Sequence, residues 1–292
     1  MKNEDIFKSE AENQWCPGCP NFAILRAWKK AFERLGKSPH EVCMVSGIGQ
    51  AAKLPHYLKC NYFNGLHGRA MPVALGIHAV NPHLTTVVVT GDGDCYGEGG
   101  NHLLHAFPRN PNITVAVHNN EIYALTKGQA SPTTIKGETR TIQPKGVEVN
   151  PINMLALAIM NDCTFVARGY AGETGHLTDL LVEAVRHEGL SYIDIIQPCI
   201  TWDIHPVEWY KKRVYKLEND YDSENREAAL DKTKEWSESI PIGILYRTAP
   251  RSLFAERFRK DVTAEPLTEI EPVSRKTIIE TMNKYMPGVV FS

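Results

Sequence analysis

No uninterrupted apolar run in these 292 residues approaches the length of a membrane span, and the opening stretch MKNEDIFKSEAENQW holds no apolar segment of the kind that directs export. Excess charge is missing too. Against 34 acidic side chains stand 32 basic ones, and the formal net charge of −2 gives no general attraction to nucleic acid or to an anionic membrane. There is no internal repeat and no low-complexity segment, which excludes solenoids and long disordered linkers. With 42% apolar and 23% charged residues, these absences describe a globular protein expected in the cytoplasm, with length for about two domains. The seven cysteines, at 16, 19, 43, 60, 95, 163 and 199, then read as thiols or metal ligands rather than disulfides.

A glycine-rich turn, TGDGDCYGEGGNH over 90–102, follows the apolar run LTTVVV, where backbone N–H groups can approach a phosphate. It lacks the lysine of a P-loop and carries Asp92, Asp94 and Glu98 instead. GIGQAA at 47–52 matches a dinucleotide fingerprint, but Pro55 interrupts any long helix after it. No Asp or Glu stands between Glu41 and Asp92 to hold a ribose, so a nicotinamide site is excluded. DGDCYG begins like a calcium loop, but its fifth position is Tyr96 and its twelfth is Leu103, which excludes that as well.

What is present is alternation. Five runs read as buried strands, EVCMVS (41–46), LTTVVVT (84–90), ITVAVH (113–118), TFVAR (164–168) and YIDIIQ (192–197), separated by helix-like segments such as NFAILRAWKKAFERLG and HLTDLLVEAVRHEG. The pattern predicts an α/β fold, a parallel sheet with helices on both faces, over residues 1–204. Residues 205–292 read as a C-terminal arm or partner surface with one helix (SENREAALDKTKEWSES) and one strand (IPIGILYR). In the first helix Phe22, Leu25, Trp28, Phe32 and Leu35 form the expected apolar stripe. GIGQ, GDGD, NNEIY and PC stand where four strands stop, so they share the carboxyl rim on which open sheets bind ligands.

A divalent cation between an acidic turn and a diphosphate would reconcile the two, since Mg²⁺ takes a few protein oxygens together with phosphate oxygens. GDG followed one strand later by NN resembles the thiamine diphosphate motif of transketolases and 2-oxoacid decarboxylases. Residue by residue, the resemblance implies that Asp92, Asn120 and the Ile122 carbonyl hold Mg²⁺. It lays Gly91, Gly93 and Asp94 along the diphosphate and makes Ile48, His67, Tyr123 and Leu125 further cofactor contacts.

WCPGCP sets Cys16 and Cys19 before a helix; alone, the pair fits a redox couple, half a zinc site or half an iron–sulfur site. Cys199 ends IDIIQPC on the cofactor rim, which favours electron transfer. In order, WCPGCPNF, SGIG, KLPHY, GLHGRA, GDGD, NNEIYALTKGQASPT and IDIIQPC resemble the β subunit of 2-oxoacid:ferredoxin oxidoreductases, most closely the 2-oxoglutarate branch, over residues 15–204.

The resemblance implies a diphosphate-type thiamine-binding domain, a [4Fe–4S] cluster, and CoA-dependent oxidative decarboxylation of 2-oxoglutarate to succinyl-CoA with electrons passing to ferredoxin, or the reverse carboxylation. It also implies a separate α subunit, which supplies the glutamate that activates the cofactor, and an (αβ)2 assembly. In relatives the residue after GIG is usually a cluster cysteine; here it is Gln50, and Cys60 in YLKCNYF is the expected replacement beside Cys16, Cys19 and Cys199, against a cluster that uses Gln50 or water, or no cluster at all. Cys43 and Cys163 read as core, and Cys95 as part of the diphosphate turn. Lys53 and Lys127 are expected to bind substrate carboxylates, with His67 hydrogen-bonding cofactor or substrate. The rival readings are a pyruvate or other 2-oxoacid enzyme, and a non-catalytic metal-binding electron carrier.

Overall fold

Side chains alternate across the strands, and that alternation decides which helices cover which face. The computed structural model describes residues 5–202, 204–254, 266, 269 and 271–285. Its central strands are β1 (Val42–Ser46), β2 (Asn61–Asn64), β3 (Thr85–Gly91), β4 (Thr114–Asn119), β7 (Phe165–Tyr170) and β8 (Ser191–Ile196); β5 (Ile122–Tyr123) and β6 (Gln129–Ala130) make a small hairpin apart. Met44, Val87, Val89, Ala116, Phe165 and Ile193 point to one face, against α1 (Asn21–Arg34) and α5 (Thr174–Arg186). Their neighbours Val45, Val88, Val115, Val117, Val166 and Tyr192 point to the other, under α2 (Ala70–Val80), α3 (Gly100–Arg109) and α4 (Met154–Met160). Five expected strands lie within a residue or two of the observed ones. The stripe of α1 is rotated: Ile24, Ala27, Trp28, Ala31 and Phe32 are fully buried, while Phe22, Leu25 and Leu35 pack at its edge.

Order across the sheet is β2-β1-β3-β4-β8-β7-β10-β9, with β9 (Val214–Lys216) and β10 (Ile240–Arg247) closing one side. The chain leaves β1 toward β2 and returns on its other flank as β3, a switch point whose crevice opens at the carboxyl ends. All pairs are parallel except β10 with β7, where Gly243 faces Arg168. The stretch expected as a separate arm therefore continues the main sheet as far as Arg247. After it, α6 (Val207–Lys211) and α7 (Arg226–Lys234) having preceded β10, a helix spans Arg275–Tyr285 with no buried side chain. No helix among the described residues is long and apolar enough to cross a membrane.

Candidate functional site

Three loops meet on the carboxylate of Asp94. Its Oδ1 accepts the Gly68 N–H at 2.7 Å and the Ile48 N–H at 3.1 Å, and lies 2.8 Å from His67 Nδ1; its Oδ2 accepts the Thr90 hydroxyl at 2.5 Å. Asp94 is buried. The residue expected along a diphosphate is thus a brace that locks the loops after β1 and β2 to the turn after β3, both of its oxygens already engaged by the protein. Close approach explains the glycines around it. A Cβ on Gly47 would lie 2.0 Å from Asp94 Oδ2, and one on Gly68, at φ +70°, 2.3 Å from the backbone of Glu98. Replacing Gly68 by Ala is expected to cost about 2–4 kcal/mol, combining left-handed strain with a backbone clash. Gly100→Ala, with open space at its Cβ position, should cost nothing comparable. Urea unfolding midpoints of the two variants check this; equal midpoints would contradict it.

Asp92 opens the next turn, buried at 2% exposure. Its Oδ2 accepts the Ser131 hydroxyl at 2.5 Å and the Thr133 hydroxyl at 2.6 Å. Burial pushes its pKa up to about 6, against the lowering effect of those hydroxyls, because a carboxylate taken out of water has no cation beside it. A divalent ion would relieve that penalty, so the donor chemistry fits Mg²⁺. Asn120, with its Oδ1 accepting the Ile122 N–H at 3.1 Å, and Ile122 follow β4 on the neighbouring rim position. Between them Glu121 takes φ +60°, turning the chain back sharply. The hydroxyl of Tyr123 donates to the Gly93 carbonyl at 3.2 Å, closing β5 over the turn, while Gly91 pairs with His118 where β3 meets β4.

Behind this front lies a buried polar layer that the sequence reading missed. Asn119 Nδ2 donates to Asp194 at 3.2 Å, Tyr96 donates to Asp194 at 2.5 Å, and the Thr133 hydroxyl reaches Asn119 Oδ1 at 3.0 Å. Asp92 is held through hydroxyl and amide to a second carboxylate in the middle of the sheet. The signal was available: Asp194 interrupts the apolar run YIDIIQ, as Asn119 interrupts VAVHNN. Glu121 is buried beside both acids. Its pKa is pushed up to about 8 by burial first and by Asp92 and Asp194 next, with the Tyr210 hydroxyl 3.5 Å away.

Cys16, Cys19 and Cys199 come together, and each sulfur faces donors. The Thr201 hydroxyl points to Cys16 at 3.5 Å, the Trp202 N–H to Cys199 at 3.4 Å, and Gln197 Nε2 to Cys19 at 4.0 Å. Burial raises the Cys19 pKa; hydrogen bonds from the backbone and side chain of Asn21 oppose it, while Cys199 and Cys16 are close enough to raise it further. Asn21 is steadied by His118, whose Nδ1 lies 2.7 Å from Asn21 Oδ1 and whose burial drops its pKa to about 3, keeping it neutral. Donors aimed at sulfur suit thiolates of an iron–sulfur cluster.

Cys60 does not join them. It precedes Asn61, which pairs with Cys43 at the foot of β1, and its sulfur packs against the α1 core with the Met44 amide as donor. Burial pushes its pKa up to about 12. From that level to the rim beyond Ser46 is about 13 Å of strand, at ~3.3 Å per residue. The expected replacement is corrected: chain proximity to Gln50 does not bring Cys60 back to the rim, because the turn over Ala51–Tyr57 carries the chain down to the other end of the sheet.

Lys53 lies half-buried on that turn and Lys127 is exposed at φ +77°, and neither has an ion-pair partner among the described residues. His67 is 41% exposed, and its bond to Asp94 leaves Nε2 on the opposite edge of the ring. Ile48 and Leu125 are exposed on the same loops. The Trp202 ring lies over Gly128, so the segment after Cys199 touches the loop of Lys127.

Residues 42–195 match the family described as thiamine pyrophosphate enzyme, C-terminal TPP binding domain, and residues 199–261 match the C-terminal family of the pyruvate ferredoxin oxidoreductase beta chain. The two matches divide the chain near residue 200, although the sheet runs across that division. A 2-oxoacid:ferredoxin oxidoreductase subunit beta from Saccharolobus solfataricus is 44% identical over 84% of this chain and 85% of its own. Subunit beta of 2-oxoacid:ferredoxin oxidoreductase 1 from Aeropyrum pernix is 39% identical over 92% and 90%. A solved structure, described as 2-oxoglutarate:ferredoxin oxidoreductase from Magnetococcus marinus with 2-oxoglutarate, coenzyme A and succinyl-CoA bound, superposes with a TM-score of 0.88 at 33% identity, covering 96% of this chain and 97% of that one. With a thiamine-binding sheet, its rim and near full-length relatives in agreement, the chain belongs to the β subunits of the 2-oxoacid:ferredoxin oxidoreductases.

Proposed function

We propose that this subunit binds thiamine diphosphate through Mg²⁺ held by Asp92, Asn120 and the Ile122 carbonyl, carries a [4Fe–4S] cluster on Cys16, Cys19 and Cys199, and acts on 2-oxoglutarate with coenzyme A and ferredoxin. The observation that carries the reading is a shared rim: the buried, cation-seeking Asp92 and three sulfurs facing hydrogen-bond donors lie at the same end of one sheet. Thiamine diphosphate, when bound, supplies the electron sink that loss of carbon dioxide from a 2-oxoacid requires. The cluster supplies one-electron passage toward ferredoxin. The chain's own residues do the rest. Ser131 and Thr133 hold Asp92 in one orientation, Asp94 fixes His67 at the cleft, and Lys53 and Lys127 present cations to carboxylates.

The subunit works with an α subunit, as an (αβ)2 assembly. Ile48, Leu66, Leu125 and Trp202 are exposed on the loops that carry the site, an apolar fringe that suits a partner covering it. A 2-oxoglutarate enzyme differs from a pyruvate enzyme in one carboxylate, and Lys53 is the residue proposed to read it. Lys53→Ala should lower kcat/KM for 2-oxoglutarate by roughly 10- to 100-fold more than for 2-oxobutyrate, the worth of a hydrogen bond between charged groups. Equal losses on the two substrates, assayed with the α subunit present, would remove Lys53 from that role.

A further inference from the structure

A buried side-chain carbonyl oxygen normally accepts a hydrogen bond. Gln50 does not follow that rule: its Oε1 is buried with no donor in reach, while its backbone carbonyl accepts the Trp15 indole N–H at 2.8 Å. That second bond ties the loop after β1 to the residue preceding Cys16. Around Cys16, Cys19 and Cys199 the surrounding groups are donors turned toward sulfur. The loop tied to Trp15, the residue preceding Cys16, thus carries an unpaired buried acceptor, whose polarity is opposite to that of the donors and which a cation would satisfy. The one further thiol on the adjoining loop, Cys60, is half-buried against the α1 core, beside Cys43 at the far end of β1.

We infer that the Gln50 side-chain oxygen is the fourth protein ligand of the cluster, so that one iron is held by a neutral oxygen and three by thiolates. The inference rests on the cluster reading above. A neutral oxygen binds iron more weakly than a thiolate and makes the ligand set one charge less negative. The Gln50-bound iron is therefore the labile one, and the cluster potential is higher than with four thiolates. Oxidation balances simply: ferricyanide takes one electron from the [4Fe–4S]²⁺ state, Fe²⁺ leaves, and a [3Fe–4S]⁺ cluster remains.

The test uses the αβ protein isolated anaerobically, as wild type, Gln50→Cys, Gln50→Ala and Cys60→Ala, with thiamine diphosphate affinity confirming that each variant is folded. Ferricyanide should convert the wild type to the paramagnetic three-iron form, read by electron paramagnetic resonance and by released iron. Gln50→Cys should resist this and show a lower reduction potential. Gln50→Ala should lose iron at least as readily as wild type, and Cys60→Ala should match wild type throughout. The inference is overturned if Gln50→Cys loses iron at the wild-type rate with an unchanged potential, or if Cys60→Ala fails to hold a cluster. Absence of iron from every variant while thiamine diphosphate binds normally would overturn the cluster reading itself.

Discussion

Asp92→Ala is expected to abolish Mg²⁺-dependent binding of thiamine diphosphate while leaving the fold in place. The substitution removes the carboxylate proposed to hold the Mg²⁺ that joins an otherwise anion-repelling turn to a diphosphate. Loss of an outer-shell partner of a metal typically costs 10–100-fold in affinity, so loss of the ligand itself should cost on the order of 100-fold or more. Stability should change in the other direction. A carboxyl whose native pKa is raised to about 6 binds protons more tightly in the folded chain than in the unfolded one. Its contribution therefore favours the fold at low pH and is lost as pH rises through about 6, and the variant lacks that loss. Mg²⁺ must displace the same proton. Wild-type affinity should rise about tenfold per pH unit up to about pH 6 and then level, while the variant shows no such rise. Calorimetric titration with Mg²⁺ and with chelator, between pH 5 and pH 8, reads both effects. Unchanged affinity in the variant would defeat the metal assignment.

The second large effect is all-or-none. This subunit purified alone should bind cofactor and show no 2-oxoacid oxidation, and adding the α subunit should restore turnover. The cofactor must be activated by a glutamate beside its pyrimidine ring, and the buried glutamate of this rim is turned elsewhere: Glu121 faces Tyr210 and the acids behind β4 and β8. The exposed apolar fringe of Ile48, Leu66, Leu125 and Trp202 marks where the missing half is expected to sit. Robust turnover by the isolated chain, in a coenzyme A-dependent assay with a low-potential dye as acceptor, would contradict the shared active site.

Much of the sheet was legible because burial on both faces leaves continuous apolar runs, and five such runs became strands. Three strands were not recognised as members of that sheet. β2 is exposed along NYFN, β9 has three residues, and IPIGILYR gave no sign that it would pair antiparallel with β7. That Asp92 and Asn120 stand after neighbouring strands on one rim was legible, because each follows an apolar run directly. Ser131 and Thr133 were not assigned, since nothing local in QASPT says which carboxylate its hydroxyls fold onto. That the Asp94 carboxylate braces three loops was not legible, because three of its four partners come from segments distant in sequence. Cys60 was misplaced for a related reason: ten residues of chain separate it from Gln50, and a helical turn spent on descending the sheet looks in sequence like one returning to the rim.

The central claim is that one rim holds both thiamine diphosphate and an iron–sulfur cluster. The most direct test is the composition of the αβ protein isolated without oxygen: thiamine diphosphate, magnesium, iron and acid-labile sulfide measured per β chain on the same sample. The account predicts stoichiometric thiamine diphosphate and magnesium, together with iron and sulfide in equal amounts that fall when Cys16, Cys19 or Cys199 is replaced by Ala. Protein that binds thiamine diphosphate and retains its iron and sulfide after all three cysteines are replaced, or that is folded and active with neither cofactor, would contradict it.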